Sequence, residues 1–474
     1  MGTGADAEAA VGGEPWAADA AGAELHPAGV VGADLRVPLV GGGAARYVNL
    51  DYAASAPALT RVWAAVQAFL PWYSSVHRGA GFRSQVATAA YEGARDAVRD
   101  FLGGRPGDTV IFTRNTTDAI NLLARCLPHR TTVVTTLAEH HANLLPWRRY
   151  HTAIELPVPG DPDELLGRFD DTLARIPAGQ PSLLAVTGAS NVTGEVWPIA
   201  QLAALAHRHG ARILVDCAQL APHRAVDVAG LDLDWVALSG HKLYAPFGSG
   251  ALVGRPDWLA GADPYLAGGG SVVWVSAQGA AWTGLPDRHE GGSPNVIGAV
   301  AMAAACSELG RIGMDAIAVE ERRLGDRLRA RLAEVPGLVR YQTWPGDPER
   351  VGISAFSLHG RDHAEVATVL SAEHGIGVRS GSFCAHPLLA HIAGADGWRP
   401  GCGEGVPGAI RASLGLGSRE EDVDRLGDAL REIALRGPRW TYRTAPDGSV
   451  APDPDDRPWP ALPGSGGGAT GAGR

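Results

Sequence analysis

The chain has 474 residues, 45% of them hydrophobic, and a formal net charge of −10, which is ample for a large core and too long for one ordinary domain. The negative balance weighs against nucleic acid as a main partner. No run approaches the roughly 18 apolar residues of a membrane-spanning helix and the N-terminus lacks a signal-peptide pattern, so no membrane is expected and the expected location is cytoplasmic.

The five cysteines (Cys126, Cys217, Cys306, Cys384, Cys402) show no CxxC spacing, so no metal centre is expected and free thiols are. Residues 1–45 are Ala- and Gly-rich and predict a mostly disordered extension with a docked end near Leu35–Val40. Short apolar runs then predict strands at Thr109–Thr113, Thr132–Thr136, Ile154–Val158, Leu183–Thr187, Arg212–Asp216, Trp235–Ser239 and Gly250–Val253. Helical patterns fall between them at Asp118–Cys126, Asn143–Tyr150, Asp163–Ile176 and Ile199–His209. Such alternation indicates an α/β fold with a parallel-rich sheet covered on both faces, whose ligands bind beyond the carboxyl ends of the strands. From about residue 305 the pattern becomes α+β: a helix at Asp315–Glu334, a strand at Ile353–Leu358, a helix at Ala364–Glu373, a strand at Ile410–Leu414 and a helix at Glu420–Arg436. The expected organisation is a large domain over 46–308, a smaller one over 309–437 and a disordered Pro- and Gly-rich tail over 438–474, with Gly394–Gly408 as a loop.

Lys242 is the sole lysine of the chain, against forty arginines. Arginine replaces lysine in most roles but cannot supply a nucleophilic amine or form a Schiff base, so the one retained lysine points to a site that needs the amine; a surviving surface ion pair is the duller alternative. Asp216 ends a predicted strand and is either a helix N-cap or the carboxylate that holds a proton on a heteroaromatic ring nitrogen, as pyridoxal 5'-phosphate (PLP) requires. Gln219 is placed to donate to a ring hydroxyl. Thr116 and Thr117, before a helix, either cap it or cradle a phosphate, and Ser239 and His241 flank Lys242 with further phosphate donors. His140 and His141 follow a strand, where an imidazole stacks on a flat ring, moves protons or is merely polar surface. Cys384 lies between Arg379 and His386, a setting that favours thiolate, although an isolated cysteine is more often inert and buried. Arg379 and Arg411 suit a substrate carboxylate or a surface ion pair.

The order of these residues is more specific than any one of them. The segments Val76-His77-Arg78-Gly79, Tyr91-Glu92-Gly93-Ala94-Arg95, Thr113-Arg114-Asn115-Thr116-Thr117-Asp118, Glu139-His140-His141-Ala142-Asn143, Ser190-Asn191-Val192-Thr193-Gly194, Asp216-Cys217-Ala218-Gln219, Ser239-Gly240-His241-Lys242 and Glu290-Gly291-Gly292-Ser293-Pro294-Asn295 resemble class V aminotransferase-fold PLP enzymes, closest to the cysteine desulfurase/selenocysteine lyase (SUF-type, NifS-like) branch, from about Tyr47 to Leu435. The resemblance implies PLP-dependent transferase fold type I, with a mostly parallel seven-stranded sheet in the large domain. It implies that PLP is linked to Lys242, that Asp216 faces the ring nitrogen, Gln219 the ring oxygen and His140 the ring face, and that Thr116, Thr117, Ser239 and His241 hold the phosphate. Ser293 is implied to reach the phosphate of a neighbouring subunit, in a homodimer with shared active sites. Asn191, Arg379 and Arg411 are implied to orient the amino-acid substrate. The implied activity is removal of sulfur from L-cysteine: Lys242 takes the α-proton, Cys384 receives the sulfur as a persulfide, L-alanine leaves, and an acceptor thiol, on a protein or a reductant, takes the sulfur onward.

The chain departs from the branch in three places. Gly381-Ser382-Phe383-Cys384 stands where Gly-His-His-Cys is usual, Gly268-Gly269-Gly270-Ser271 lacks a usual glutamate, and the Gly394–Gly408 insertion carries Cys402. A C–S lyase, epimerase or selenocysteine lyase working without a persulfide is therefore an alternative activity, one that would suit a biosynthetic pathway, and a non-catalytic scaffold is a third reading.

Overall fold

The computed structural model describes residues 29–394 and 408–460. Residues 1–28 and 461–474 of the expected tails, and the interior of the Gly394–Gly408 insertion with Cys402, lie outside the described residues.

The apolar runs form one seven-stranded sheet: β1 Thr109–Thr113, β2 Thr132–Thr136, β3 Thr152–Leu156, β4 Ser182–Thr187, β5 Arg212–Asp216, β6 Trp235–Ser239 and β7 Gly250–Gly254, in the spatial order β1-β7-β6-β5-β4-β2-β3. The neighbours from β6 to β3 pair in parallel, and β7 is antiparallel to both β6 and β1. Two reversals restore the direction, so β1 ends at the same edge as β2, β4, β5 and β6. Alternate residues face opposite sides: Val110, Val134, Leu184, Ile213, Val236 and Val253 enter one core, and Ile111, Val133, Leu183, Leu214, Trp235 and Leu252 the other. Burial on both faces explains why these strands read as continuous apolar runs rather than alternating ones. The third expected strand is shifted, Thr152–Leu156 in place of Ile154–Val158. Its apolar residues continue past the pairing with β2, which stops at Leu156.

A four-stranded antiparallel sheet follows, in the order Leu338–Arg340, Ile353–Leu358, Ala409–Ser413, Arg379–Gly381. The helices Met314–Ala333, His363–His374 and Glu420–Arg436 cover it, and Leu328, Phe356, Val369, Ile410 and Leu426 meet in its core. Three long elements lie outside the expected pattern: the helices Thr60–Phe69, Phe82–Phe101 and Val296–Ile312, the last buried around much of its circumference.

The docked end expected near Leu35–Val40 is present and reaches Arg46, and the disorder expected over 438–474 is corrected where that tail is described. Arg36–Pro38 and Ala44–Arg46 form an antiparallel hairpin, as do Tyr442–Thr444 and Val450–Pro452. Glu373, buried, accepts from the backbone N–H of Arg439 and Trp440 and from the Tyr442 hydroxyl (3.0, 3.0 and 2.9 Å). A single buried carboxylate needs these donors, and a Gly/Pro-rich composition conceals such an anchor.

Candidate active site

A cavity of about 250 Å³ opens where β1, β2, β4, β5 and β6 end. Lining it are Thr116, Thr117, His140, Asn191, Asp216, Gln219, Ser239, His241, Lys242, Arg379, Cys384 and Arg411, so twelve of the thirteen expected residues converge from distant parts of the chain. Ser293, the thirteenth, is exposed and does not line it.

Thr116 and Thr117 do not precede the helix but open it: the helix is Thr116–Cys126, and the cap is Asn115, whose Oδ1 accepts from Asp118 N at 3.0 Å. The threonines are thereby released from capping. Thr116 N donates to Ser239 Oγ (2.8 Å), and the Thr116 and Ser239 hydroxyls share a further 2.8 Å hydrogen bond. Two hydroxyls and a helix N-terminus at one end of the cavity make a cradle suited to an anion. Its tightness depends on Gly250 of β7, where an added Cβ would lie 2.6 Å from Asn115 Cα.

No helix starts at Asp216, so capping is not its role; the residues after it are turns. Its Oδ1 accepts from Ala218 N at 2.9 Å. The carboxylate is buried, and loss of hydration raises its pKa, an effect opposed by that hydrogen bond and by the Lys242 charge. Gln219 adds an unmet acceptor to the donor expected of it: its Nε2 donates one N–H to Ala53 O (2.7 Å), and its Oε1 is buried without a partner. A carboxylate short of compensating charge and an orphaned amide oxygen are both costly in isolation. Together with the hydroxyl cradle they fit a group that carries an N–H, an O–H and an anionic end.

Lys242 lies on the turn after β6, where it retains contact with the cavity. Desolvation is the largest influence on its amine and lowers the pKa to about 8, against the opposing charge of Asp216. His140 Nδ1 accepts from Ala142 N (3.1 Å), which puts the proton of the neutral ring on Nε2. Burial, reinforced by the Lys242 charge, lowers its pKa to about 3. The preceding Glu139 is wholly buried; it accepts from Asn143 Nδ2 (2.8 Å) and Thr187 N (3.0 Å), and burial raises its pKa to about 8.

Cys384 is exposed, whereas Cys126, Cys217 and Cys306 are buried and burial pushes their thiols up. The inert, buried reading of Cys384 is thus not met. Phe383 and Cys384 both adopt left-handed backbone (φ 52°), a strained pair for non-glycine residues. Asn191 Nδ2 donates to Phe383 O and His141 N to Cys384 O, each at 2.8 Å, and these hold the turn. Arg411 is buried rather than on the surface. It donates to Asn191 O (2.8 Å) and to Asp51 Oδ1 (3.3 Å), with the Phe383 ring 5.0 Å from its guanidinium carbon. Arg379 is 57% exposed and lies 3.8 Å from Asp51 Oδ2. Asp51 carries no signal in the sequence and no motif marks it, and Phe383 shows there only as the residue that replaces a usual histidine beside Cys384.

The sequence matches the aminotransferase class-V family model over residues 48–426. It is 36% identical over 394 residues to a cysteine desulfurase of Escherichia coli O127:H6, covering 81% of this chain and 92% of that one. It is 39% identical over 381 residues to a cysteine desulfurase of Dickeya dadantii, covering 77% and 86%. Among solved structures it is similar to the cysteine desulfurase CsdA of Escherichia coli (TM-score 0.69, 33% identity, 82% and 94% covered). It is also similar to the cysteine desulfurase of Thermococcus onnurineus (TM-score 0.73, 31% identity, 82% and 94% covered).

Proposed function

The chain belongs to the aminotransferase class-V family, on its cysteine desulfurase branch, and from that premise we propose that it is a PLP-dependent cysteine desulfurase that transfers the sulfur of L-cysteine to Cys384 and releases L-alanine. The observation that carries the reading is the convergence of the sole lysine, a buried carboxylate and the exposed cysteine on one cavity.

PLP supplies an electron sink for the carbanion formed at the substrate Cα. The chain's residues divide the remaining work. Lys242 is the attachment point, and once released its amine, tuned to about 8, takes the α-proton near neutral pH. With PLP bound, Asp216 would keep a proton on the ring nitrogen, the unpartnered Gln219 Oε1 would accept from the ring hydroxyl, and His140, neutral at physiological pH, would flank the ring without adding charge. Thr116, Thr117, Ser239 and His241 hold the phosphate, with Ser293 contributing to the site of a second subunit in a homodimer. Arg411, Arg379 and Asn191 orient the substrate carboxylate.

Sulfur transfer then needs one nucleophile. Cys384 Sγ, as thiolate, attacks the substrate sulfur; the S–S bond forms as the Cβ–S bond breaks, the electron pair stays on Cβ, and protonation of Cβ together with return of the α-proton from Lys242 to Cα completes alanine. The persulfide on Cys384 is cleared by an acceptor thiol, from a protein or a small reductant. Its exposure leaves it open to such an acceptor, and the four free cysteines among the described residues suit a reducing cytoplasm. Among the described residues no single helix is long and apolar enough to cross a membrane.

The test is paired release of alanine and sulfide from L-cysteine with a thiol reductant, comparing the native protein with Cys384→Ala. Equal amounts of both products, lost in the variant, are expected. Undiminished turnover by Cys384→Ala would refute the persulfide route and favour a lyase acting on another amino acid.

A further inference from the structure

Two arginines of the site stand directly opposite one another. Arg379 and Arg411 are cross-strand partners in the antiparallel pair Arg379–Gly381 and Ala409–Ser413, a position in which like charges oppose pairing. Arg411 is buried, and its Nε has no hydrogen-bond partner. A single carboxylate sits between the two guanidiniums, with Asp51 Oδ1 3.3 Å from Arg411 Nη2 and Oδ2 3.8 Å from Arg379 Nη1. Asp51 does not itself line the cavity; both arginines do.

The segment carrying Asp51 is fastened on both sides. Asp51 bridges to Ser413 in parallel, and its N–H donates to Asn49 Oδ1 (3.1 Å). Ala53 N donates to Ser413 Oγ (2.9 Å), Ala53 O accepts from Gln219 Nε2 (2.7 Å), and Ala56 N donates to His241 O (2.8 Å). The carboxylate is therefore fixed to the arginine-bearing strand and to the cavity wall at once.

We propose that Asp51 is a positioning residue for the substrate carboxylate: it holds Arg411 and Arg379 side by side at the cavity until that carboxylate bridges them. This rests on the reading of the two arginines as carboxylate-binding. Two guanidiniums against one carboxylate leave one positive charge uncompensated, the charge of the group to be bound. The Asp51 contacts are longer than the roughly 2.7–2.9 Å of a strong charge-assisted hydrogen bond, so they align the arginines and still yield to a ligand. Arg379, more than half exposed, is the arm that exchanges Asp51 for substrate, while Arg411 stays fixed by Asn191 O and the Phe383 ring.

The experiment measures kcat and KM for L-cysteine and for L-cysteine methyl ester, and the equilibrium binding of L-alanine, in native protein, Asp51→Asn, Asp51→Ala, Arg379→Ala and the Asp51→Asn/Arg379→Ala double variant. For the Asp51 variants we expect KM for cysteine to rise about tenfold with kcat within about twofold, the pattern of lost ground-state binding. Alanine binding weakens by the same factor, the ester is unaffected, and the double variant is no worse than Arg379→Ala alone. Asp51→Asn preserves side-chain shape, and alanine binding reads the effect even where turnover is lost. Equal losses for acid and ester, an unchanged KM, or additive losses in the double variant would overturn the proposal. Native protein that takes the ester as well as the acid would overturn the reading of the arginines, and this proposal with it.

Discussion

The sole lysine permits a direct titration of the site. With a pKa of about 8, against 10.5 for an ordinary lysine, about a tenth of the Lys242 amines are neutral at pH 7, where an ordinary lysine has about one in three thousand. The free amine is thus enriched about 300-fold at neutral pH. The assay is acetylation of the PLP-free protein by a small reagent across pH 6 to 10, read by mass spectrometry of the peptide that carries Lys242. The forty arginines do not react under these conditions, so no other side-chain amine competes. The labelling rate should climb tenfold per pH unit up to about pH 8 and then level off. Asp216→Asn gives the sign check. The carboxylate stabilises the ammonium, so its removal should move the midpoint to lower pH. A rate that climbs without a break to pH 10 would refute the claim that burial tunes this amine, and a midpoint raised by Asp216→Asn would refute the role given to the carboxylate.

Two further perturbations reach the scaffold and the cradle. Glu290 meets Arg95 through two hydrogen bonds (2.6 and 2.8 Å) and accepts from the Tyr91 hydroxyl and Phe112 N (2.6 and 2.7 Å), with both ion-pair partners buried. Glu290→Ala leaves the buried Arg95 with only the part-exposed Glu92 as ion-pair partner (3.0 Å) and should cost about 3 kcal/mol, the low end for breaking a buried pair, in urea unfolding; a loss below about 1 kcal/mol would show that Glu92 and solvent take over the charge. Ser239→Ala removes one hydroxyl of the Thr116–Ser239 cradle and should weaken PLP binding about tenfold or more, the worth of a hydrogen bond to a charged group. Unchanged affinity in a cofactor titration would remove Ser239 from the phosphate site.

Much of this protein is legible in its amino-acid order alone. The buried strands announce themselves because a sheet covered on both faces admits little but apolar residues, and all seven are present with ends displaced by at most a few residues. Lys242 stands out because a chain that otherwise uses arginine retains lysine only where an amine is required. The order from Thr116 to Cys384 carries the rest, since these residues follow strand ends and strand ends share one edge.

What the sequence does not supply is the relation between distant groups. Asp51 is an ordinary aspartate until Arg411 and Arg379 fold onto it. Gln219 reads as a donor, and only the fold shows that Ala53 O takes one of its N–H groups while its oxygen is buried without a partner. The tail hairpin is invisible in a Gly- and Pro-rich composition because its anchor, Glu373, belongs to another element. Apolar periodicity is written locally along the chain, whereas hydrogen-bond satisfaction and charge pairing are settled among residues that meet only when the chain is folded.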